Sequence, residues 1–239
     1  MIVRDEGTTL LLITQSDHAQ LAADIVAPIR TEAALDSAAR NTILLATREH
    51  DNGWTEVDAE PTIEPETGRP RDFMTGPAPV KHELWLRGVT RLARANEHAG
   101  ALVAEHAVTV YGYRRTEPDW VPFFDSIAAM RDALLQQIGL LSGSSRESFE
   151  HHYRCVRLGD SFSLQFCNGW AAPQTTLGYR ASMSGATLLI SPDPFGGATV
   201  PLRVIGRRIP SRRYEDDADL RAALAAAIPE IVIGEAKGA

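Results

Sequence analysis

The sequence predicts a mainly helical single domain with a small antiparallel sheet formed from its N- and C-terminal segments. Three observations predict it. Apolar residues recur at helical spacing in five or six stretches between residues 15 and 168. Strand-like runs lie only before and after that region. No repeat, low-complexity tract or linker divides the 239 residues, a length suited to one sizeable core. The expected layout is one domain over 1–239, with a helical core over about 15–168 and a β-rich part over about 170–239.

In chain order, residues 2–4 and 8–14 read as two short strands around the turn Asp5-Glu6-Gly7. A helix follows to about Pro28, with Ser16 as its expected N-cap and Leu21, Ala22, Ile25 and Val26 on its apolar side. His18 lies one turn before Leu21 and Ala22 on that side. Residues 35–49 read as the next helix, with Ala39, Ile43 and Ala46 inward and Gly53 ending it. His50 continues that inward series and Asp51 follows directly. Taken alone, the pair also fits a core histidine bonded to a backbone carbonyl and an aspartate closing a turn.

Residues 52–79 hold five prolines and three glycines and read as a long irregular loop. Trp54 and Phe73 are its expected anchors, which predicts an ordered loop covering one side of the site. Arg69 and Arg71 flank Pro70 within it. Residues 80–96 read as a helix carrying Leu84, Trp85, Val89 and Leu92 on one side, with Lys81 and His82 in its first turn. His98-Ala99-Gly100 reads as a C-terminal cap. In residues 101–112, Leu102, Val103, His106 and Val110 share one stripe. A long helix is expected from Trp120 to Leu141, and another from Ser145 or Ser148 to Cys167. In the latter, Asp160 sits between core positions. Beyond Gly169 the chain reads as strands at 175–179, 187–190 and 199–208, an alanine-rich helix at 217–227, and a last short strand at 231–233.

Composition narrows the partners. A net charge of −7 argues against a general binder of nucleic acid or anionic membrane. No apolar run is long enough to span a bilayer, and the N-terminus lacks a signal-peptide layout. The two cysteines, Cys155 and Cys167, suggest a reducing compartment. A cytoplasmic location and a small-molecule substrate are the expectations.

Collected in order, the inward-facing polar residues are His18, His50-Asp51, His82, His106 and Asp160. Helix bundles build metal sites from side chains that converge from facing helices. Four imidazoles and two carboxylates suit one or two divalent ions such as iron, manganese, zinc or magnesium, with Asp51 placed to bridge a pair.

This order of residues resembles the pattern of HD-domain metalloproteins, with His82 and His106 similar to the extra ligands of their dinuclear subgroup. The resemblance covers roughly residues 14–168 and implies an HD-like helical core. It also implies a metal-dependent hydrolase acting on a phosphoester, with Asp51 as the catalytic carboxylate. With the long loop folded over the site, Trp54, Arg69, Arg71 and Lys81 are expected around the substrate. A di-iron oxygenase shares the same ligand order, and a metal- or ligand-binding module without turnover remains the third reading. Across most of the chain, the stretches Leu12-Ile13-Thr14-Gln15-Ser16-Asp17-His18-Ala19, His50-Asp51-Asn52-Gly53-Trp54 and Asp160-Ser161-Phe162-Ser163-Leu164 resemble the bacterial family called domain of unknown function 3891. That family implies no activity.

Overall fold

The structure is a computed structural model that describes residues 1–30, 35–140 and 143–239. It opens with the strands β1 (Ile2–Asp5) and β2 (Thr9–Ile13), then the helices α1 (Gln15–Val26) and α2 (Ser37–Arg48). A single 3-10 turn, Asn52–Trp54, leads into the short helix α3 (Thr55–Ala59). The helices α4 (Ala78–Ala93), α5 (Glu97–Val110), α6 (Val121–Gln137) and α7 (Gly143–Asn168) follow. The chain closes with β3 (Gln174–Thr176), β4 (Tyr179–Ser184), β5 (Thr187–Ser191), β6 (Val200–Pro210), α8 (Asp217–Ala226) and β7 (Glu230–Gly238).

The fold class differs from the sequence expectation. Half of the chain is helical, but the strands form one large curled sheet of mixed direction rather than a small antiparallel one. Its seven strands run in the order β1-β2-β6-β7-β5-β4-β3. All neighbours are antiparallel except β5 and β7, which run parallel. A mainly helical HD-like fold is therefore corrected to helices packed on an extensive sheet. The strand β7 causes most of the difference. It pairs with both β6 and β5 and joins the N-terminal hairpin to the C-terminal strands as one surface.

The run Leu10-Leu11-Leu12-Ile13 is buried because the sheet is covered on both faces at this end. Leu11 and Ile13 pack with Leu21, Ile25, Phe162 and Phe166 from α1 and α7. Leu10 and Leu12 pack with Ile209, Tyr214 and Leu220 on the α8 side. Successive side chains of a strand point to opposite faces, so a continuous apolar run marks a strand enclosed by two layers. A second core lies among the helices, where Trp54, Trp85, Trp120, Phe123, Phe149 and Val156 meet. The functional cluster described below lies where the two cores adjoin.

Several boundaries move for identifiable reasons. The N-cap of α1 is Thr14, whose hydroxyl accepts from the Asp17 amide, rather than Ser16. Residues 52–59 are helical, so the irregular part of the long loop starts only after Ala59. His98-Ala99-Gly100 starts α5 instead of ending α4, because the Asn96 side chain caps it by accepting from Ala99. Gly100 serves close packing there: a Cβ would stand 2.7 Å from the Ala93 Cβ. The helix end expected at Leu141 lies outside the described residues. Among the described residues, no helix is long and apolar enough to cross a membrane.

Candidate metal centre

Three helices and one turn bring five polar side chains together. His18 comes from the first turn of α1, His50 and Asp51 from the turn that follows α2, His106 from the middle of α5, and Asp160 from α7. All five are at least nine-tenths buried. Close packing places them. At Gly159, next to Asp160, a Cβ would stand 2.6 Å from Val26 Cγ2 and 2.9 Å from the Ala22 carbonyl oxygen. The missing side chain lets α7 settle directly on α1. The turn at residues 51–54 is clamped to α4 in the same manner, through Gly53 against Leu84 and Gly88 against Asn52. Asn52 Nδ2 donates to the carbonyls of Glu49 and Gly88, and Arg87 and Arg91 donate to those of Gly53 and Asn52.

The hydrogen bonds fix which imidazole nitrogen carries the proton. Ser163 donates its only hydroxyl proton to the Asp160 carbonyl at 3.0 Å, so it must accept from His18 Nδ1, 2.9 Å away. His50 Nδ1 lies 2.7 Å from the Thr47 carbonyl, which can only accept. With Nδ1 tied outward in this way, each ring turns its Nε2 toward the carboxylates, and a cation bound there would meet the Nε2 lone pair. His18 Nε2 is 3.3 Å from Asp160 Oδ1 and 3.8 Å from Asp51 Oδ2. His50 Nε2 is 3.3 Å from Asp51 Oδ2 and 3.5 Å from Asp160 Oδ1. His106 Nε2 is 3.6 Å from Asp160 Oδ2. Neither His18 Nε2 nor His50 Nε2 has a hydrogen-bond partner, although both are buried.

Carboxylate oxygens facing imidazole nitrogens at these distances need a positive charge between them, a proton on His50 or a bound cation. The separations exceed ordinary N–H···O bonds of about 2.7–3.2 Å. Two ligand atoms each about 2.1 Å from one ion stand about 3.0–3.5 Å apart, close to what is observed. The residues fall into two groups that could each hold an ion, His18-His50-Asp51 and His50-His106-Asp160, with ligand atoms within 4.8 Å of one another. His50 belongs to both. The outward nitrogens are tied to a backbone carbonyl and a serine, the arrangement that orients metal-binding histidines.

Charge follows the same geometry. Burial alone would depress the His50 pKa, but the carboxylates of Asp51 and Asp160 outweigh it and hold that imidazole well above its usual value. Burial would raise Asp160, but the surrounding imidazoles of His18, His50 and His106 outweigh it and keep its carboxyl well below the usual range. Burial lowers His106 to about 4, which leaves it neutral. A cation binding here must displace the His50 proton. Its affinity is therefore expected to fall as pH falls, by roughly tenfold per unit where one proton is released. The ion-free protein should show the opposite trend from His50: the stability its raised pKa contributes is full below about 6.5 and is lost as pH rises through the folded value. Calorimetric ion titrations and urea melts between pH 5.5 and 8.5 check both signs. Ion affinity that does not change with pH would contradict the assignment.

A cavity of about 260 Å³ opens onto the cluster, with Asp51, His106 and Asp160 in its floor. Gln15, Trp54, Phe73, Lys81, Trp85 and Tyr111 line its sides. The residues expected around the substrate separate here. Trp54 and Lys81 line the cavity. Arg69 does not, because it pairs with Asp5 at 2.6 Å and with Ser211. Arg71 bonds Glu64 at 2.8 Å and lines a neighbouring cavity behind Trp54 and Phe73. His82 is corrected as well: its ring stacks on Phe123 and meets Trp120 edge-on. It follows Lys81 by one residue, a rotation of about 100°, and so turns toward α6 while Lys81 faces the cluster. Gln15, Thr47, Trp85, Tyr111 and Ser163 were not singled out as site residues. Gln15 was legible as the residue one turn before His18, and Ser163 as the residue one turn after Asp160.

Residues 1–211 match the family described as Protein of unknown function (DUF3891). The chain belongs to the DUF3891 family. No curated protein and no solved structure matches it. Every residue of the cluster lies inside the DUF3891 match, whereas α8 and β7 lie beyond it. The match bears out the DUF3891 resemblance and does not extend to the HD one.

Proposed function

We propose that this DUF3891 protein is a metal-dependent hydrolase of a small phosphoester. The observation that carries the reading is the pair of buried, unpartnered Nε2 atoms of His18 and His50, aimed at two carboxylates beneath an open cavity. A pocket with access to solvent separates a catalytic centre from a purely structural one. His18, His50, His106, Asp51 and Asp160 would hold one or two divalent ions. Such an ion supplies a Lewis acid and an acidified water. Asp51 would orient a water molecule at the phosphorus; the water oxygen would bond to phosphorus as the ester P–O bond breaks, and the ester oxygen would leave as the alcohol with one of the water's protons. Lys81, which lines the same cavity, supports an anionic substrate.

The test is a reload experiment. Protein stripped with a chelator is loaded with manganese, zinc, magnesium or, without air, ferrous iron, and assayed on p-nitrophenyl phosphate and its diester. Turnover is expected only after loading and is expected to vanish in Asp160→Asn. Stoichiometric ion binding with no phosphate-ester cleavage under any metal would overturn the reading. So would oxygen uptake by the iron-loaded protein in place of ester cleavage.

A further inference from the structure

We infer that the cavity over the cluster selects a small phosphomonoester with a flat organic group. Its phosphate lies between the metal centre and Lys81, and its ring lies among Trp85, Tyr111 and Tyr113. The inference deepens the hydrolase reading and rests on it.

Lys81 is 3% exposed, yet among the described residues it forms no ion pair with a carboxylate. Its ammonium donates to the Met74 carbonyl at 2.8 Å and lies 5.8 Å from the Tyr111 ring centre. One of three N–H donors is thus used. A buried ammonium without a counter-charge is costly, and an anionic ligand would provide one. Asp51 and Asp160 in the floor would repel that anion, so the ion must bind first.

Gln15 narrows the anion further. It is 1% exposed and lines the cavity, and its Oε1 has no hydrogen-bond partner. This oxygen can only accept, so a ligand that brings a donor would satisfy it. A phosphomonoester in its singly protonated form carries both a negative oxygen for Lys81 and a P–OH for Gln15. A phosphodiester has no such proton. At about 260 Å³ the cavity is smaller than the roughly 300–1,000 Å³ typical of drug-sized ligands, which limits the organic group to about one ring. Trp85 and Tyr111 meet edge-on at 6.1 Å, and Tyr113, 78% exposed, stands at the mouth. Aromatic walls of this kind favour a flat, apolar ring.

The experiment uses ligands that carry no hydrolysable ester of phosphate: phenylphosphonate, methylphosphonate, and the monomethyl ester of phenylphosphonate. Each is titrated calorimetrically into manganese-loaded and metal-stripped protein. Phenylphosphonate is expected to bind the loaded protein at least about tenfold more tightly than either comparison ligand, and not to bind the stripped protein. Lys81→Met keeps the apolar stem and should weaken phenylphosphonate by about tenfold or more. Tyr113→Ala, at an exposed position that leaves folding intact, should narrow the phenyl-to-methyl ratio by roughly 3- to 10-fold. Equal affinity for the three ligands, equal binding to stripped protein, or unchanged binding in Lys81→Met overturns the inference. If Lys81→Met does not fold, the wild-type ratios and Tyr113→Ala decide. These ligands report binding without turnover. Selective binding with no turnover of any phosphomonoester would sink the hydrolase reading alone. Ester cleavage that ignores Lys81 and Gln15 would sink the inference alone.

Discussion

His50→Ala is expected to reduce divalent-ion affinity by roughly 100-fold or more and to leave the purified protein without bound metal. Loss of residues that merely orient metal ligands already costs about 10- to 100-fold, and His50 is itself a prospective ligand. It is also the one residue common to both groups that could hold an ion. No neighbour can replace it, because His18 and His106 approach the carboxylates from other helices. In the ion-free state the same change removes a buried imidazole from between Asp51 and Asp160. Breaking a buried charge pair by deleting one partner costs about 3–5 kcal/mol, so the ion-free variant should also melt at lower urea. Asp160→Asn gives a nearly isosteric check that leaves no void. Metal content by mass spectrometry and calorimetric affinity read the result. A His50→Ala protein that still binds manganese with wild-type affinity would remove the basis for the metal centre.

Gly53→Ala is expected to destabilise the fold by about 2–4 kcal/mol and to weaken ion binding with it. The added Cβ would stand 2.1 Å from the Leu84 carbonyl oxygen and 2.8 Å from its carbon. Both are backbone atoms inside α4, which cannot swing aside as a side chain could. The strain must be relieved by lifting the turn that follows His50 and Asp51, and that motion displaces the carboxylate. Gly112→Ala is the control, since nothing lies within 4 Å of its added Cβ. Urea unfolding of the two variants should separate them clearly. A Gly53→Ala protein within about 0.5 kcal/mol of the parent would mean that the turn can shift without cost.

The buried polar residues that converge were legible in the chain with no structure. His18, His106 and Asp160 each interrupt an apolar helical stripe, and His50 extends one just past the end of α2. A buried polar group of that kind costs about 1–3 kcal/mol unless it finds a partner. The choice between Lys81 and His82 was not legible in the same way. Leu84 lies three residues after one and Trp85 three after the other, so helical spacing admits both to the inward face. The packing of α4 against α5 and the 51–54 turn brings Lys81 into the cavity and leaves His82 against α6. Arg69 and Arg71 sit in a loop without periodicity, and their directions follow from partners distant in sequence or across a turn. Asp5 belongs to β1, and Glu64 lies on the far side of the Ile63–Pro70 bridge.

Local sequence was enough to indicate the long helices, the N-terminal hairpin, and the inward polar residues that make a metal centre worth seeking, but not the short helix α3 or the start of α5. Those features depend on contacts within about one helical turn or one strand repeat, where side-chain periodicity carries the information. Tertiary structure alone decided the size and mixed direction of the sheet. The strand β7 shows an incomplete alternation, with Ile231 and Ile233 exposed, and its parallel pairing with β5 crosses more than forty residues of chain. It also decided the tautomers of His18 and His50. Each depends on where Ser163 or the Thr47 carbonyl lies in space, and Ser163 stands 145 residues from His18. A pairing across that distance leaves no local pattern, because its energy is gained only after the chain has folded.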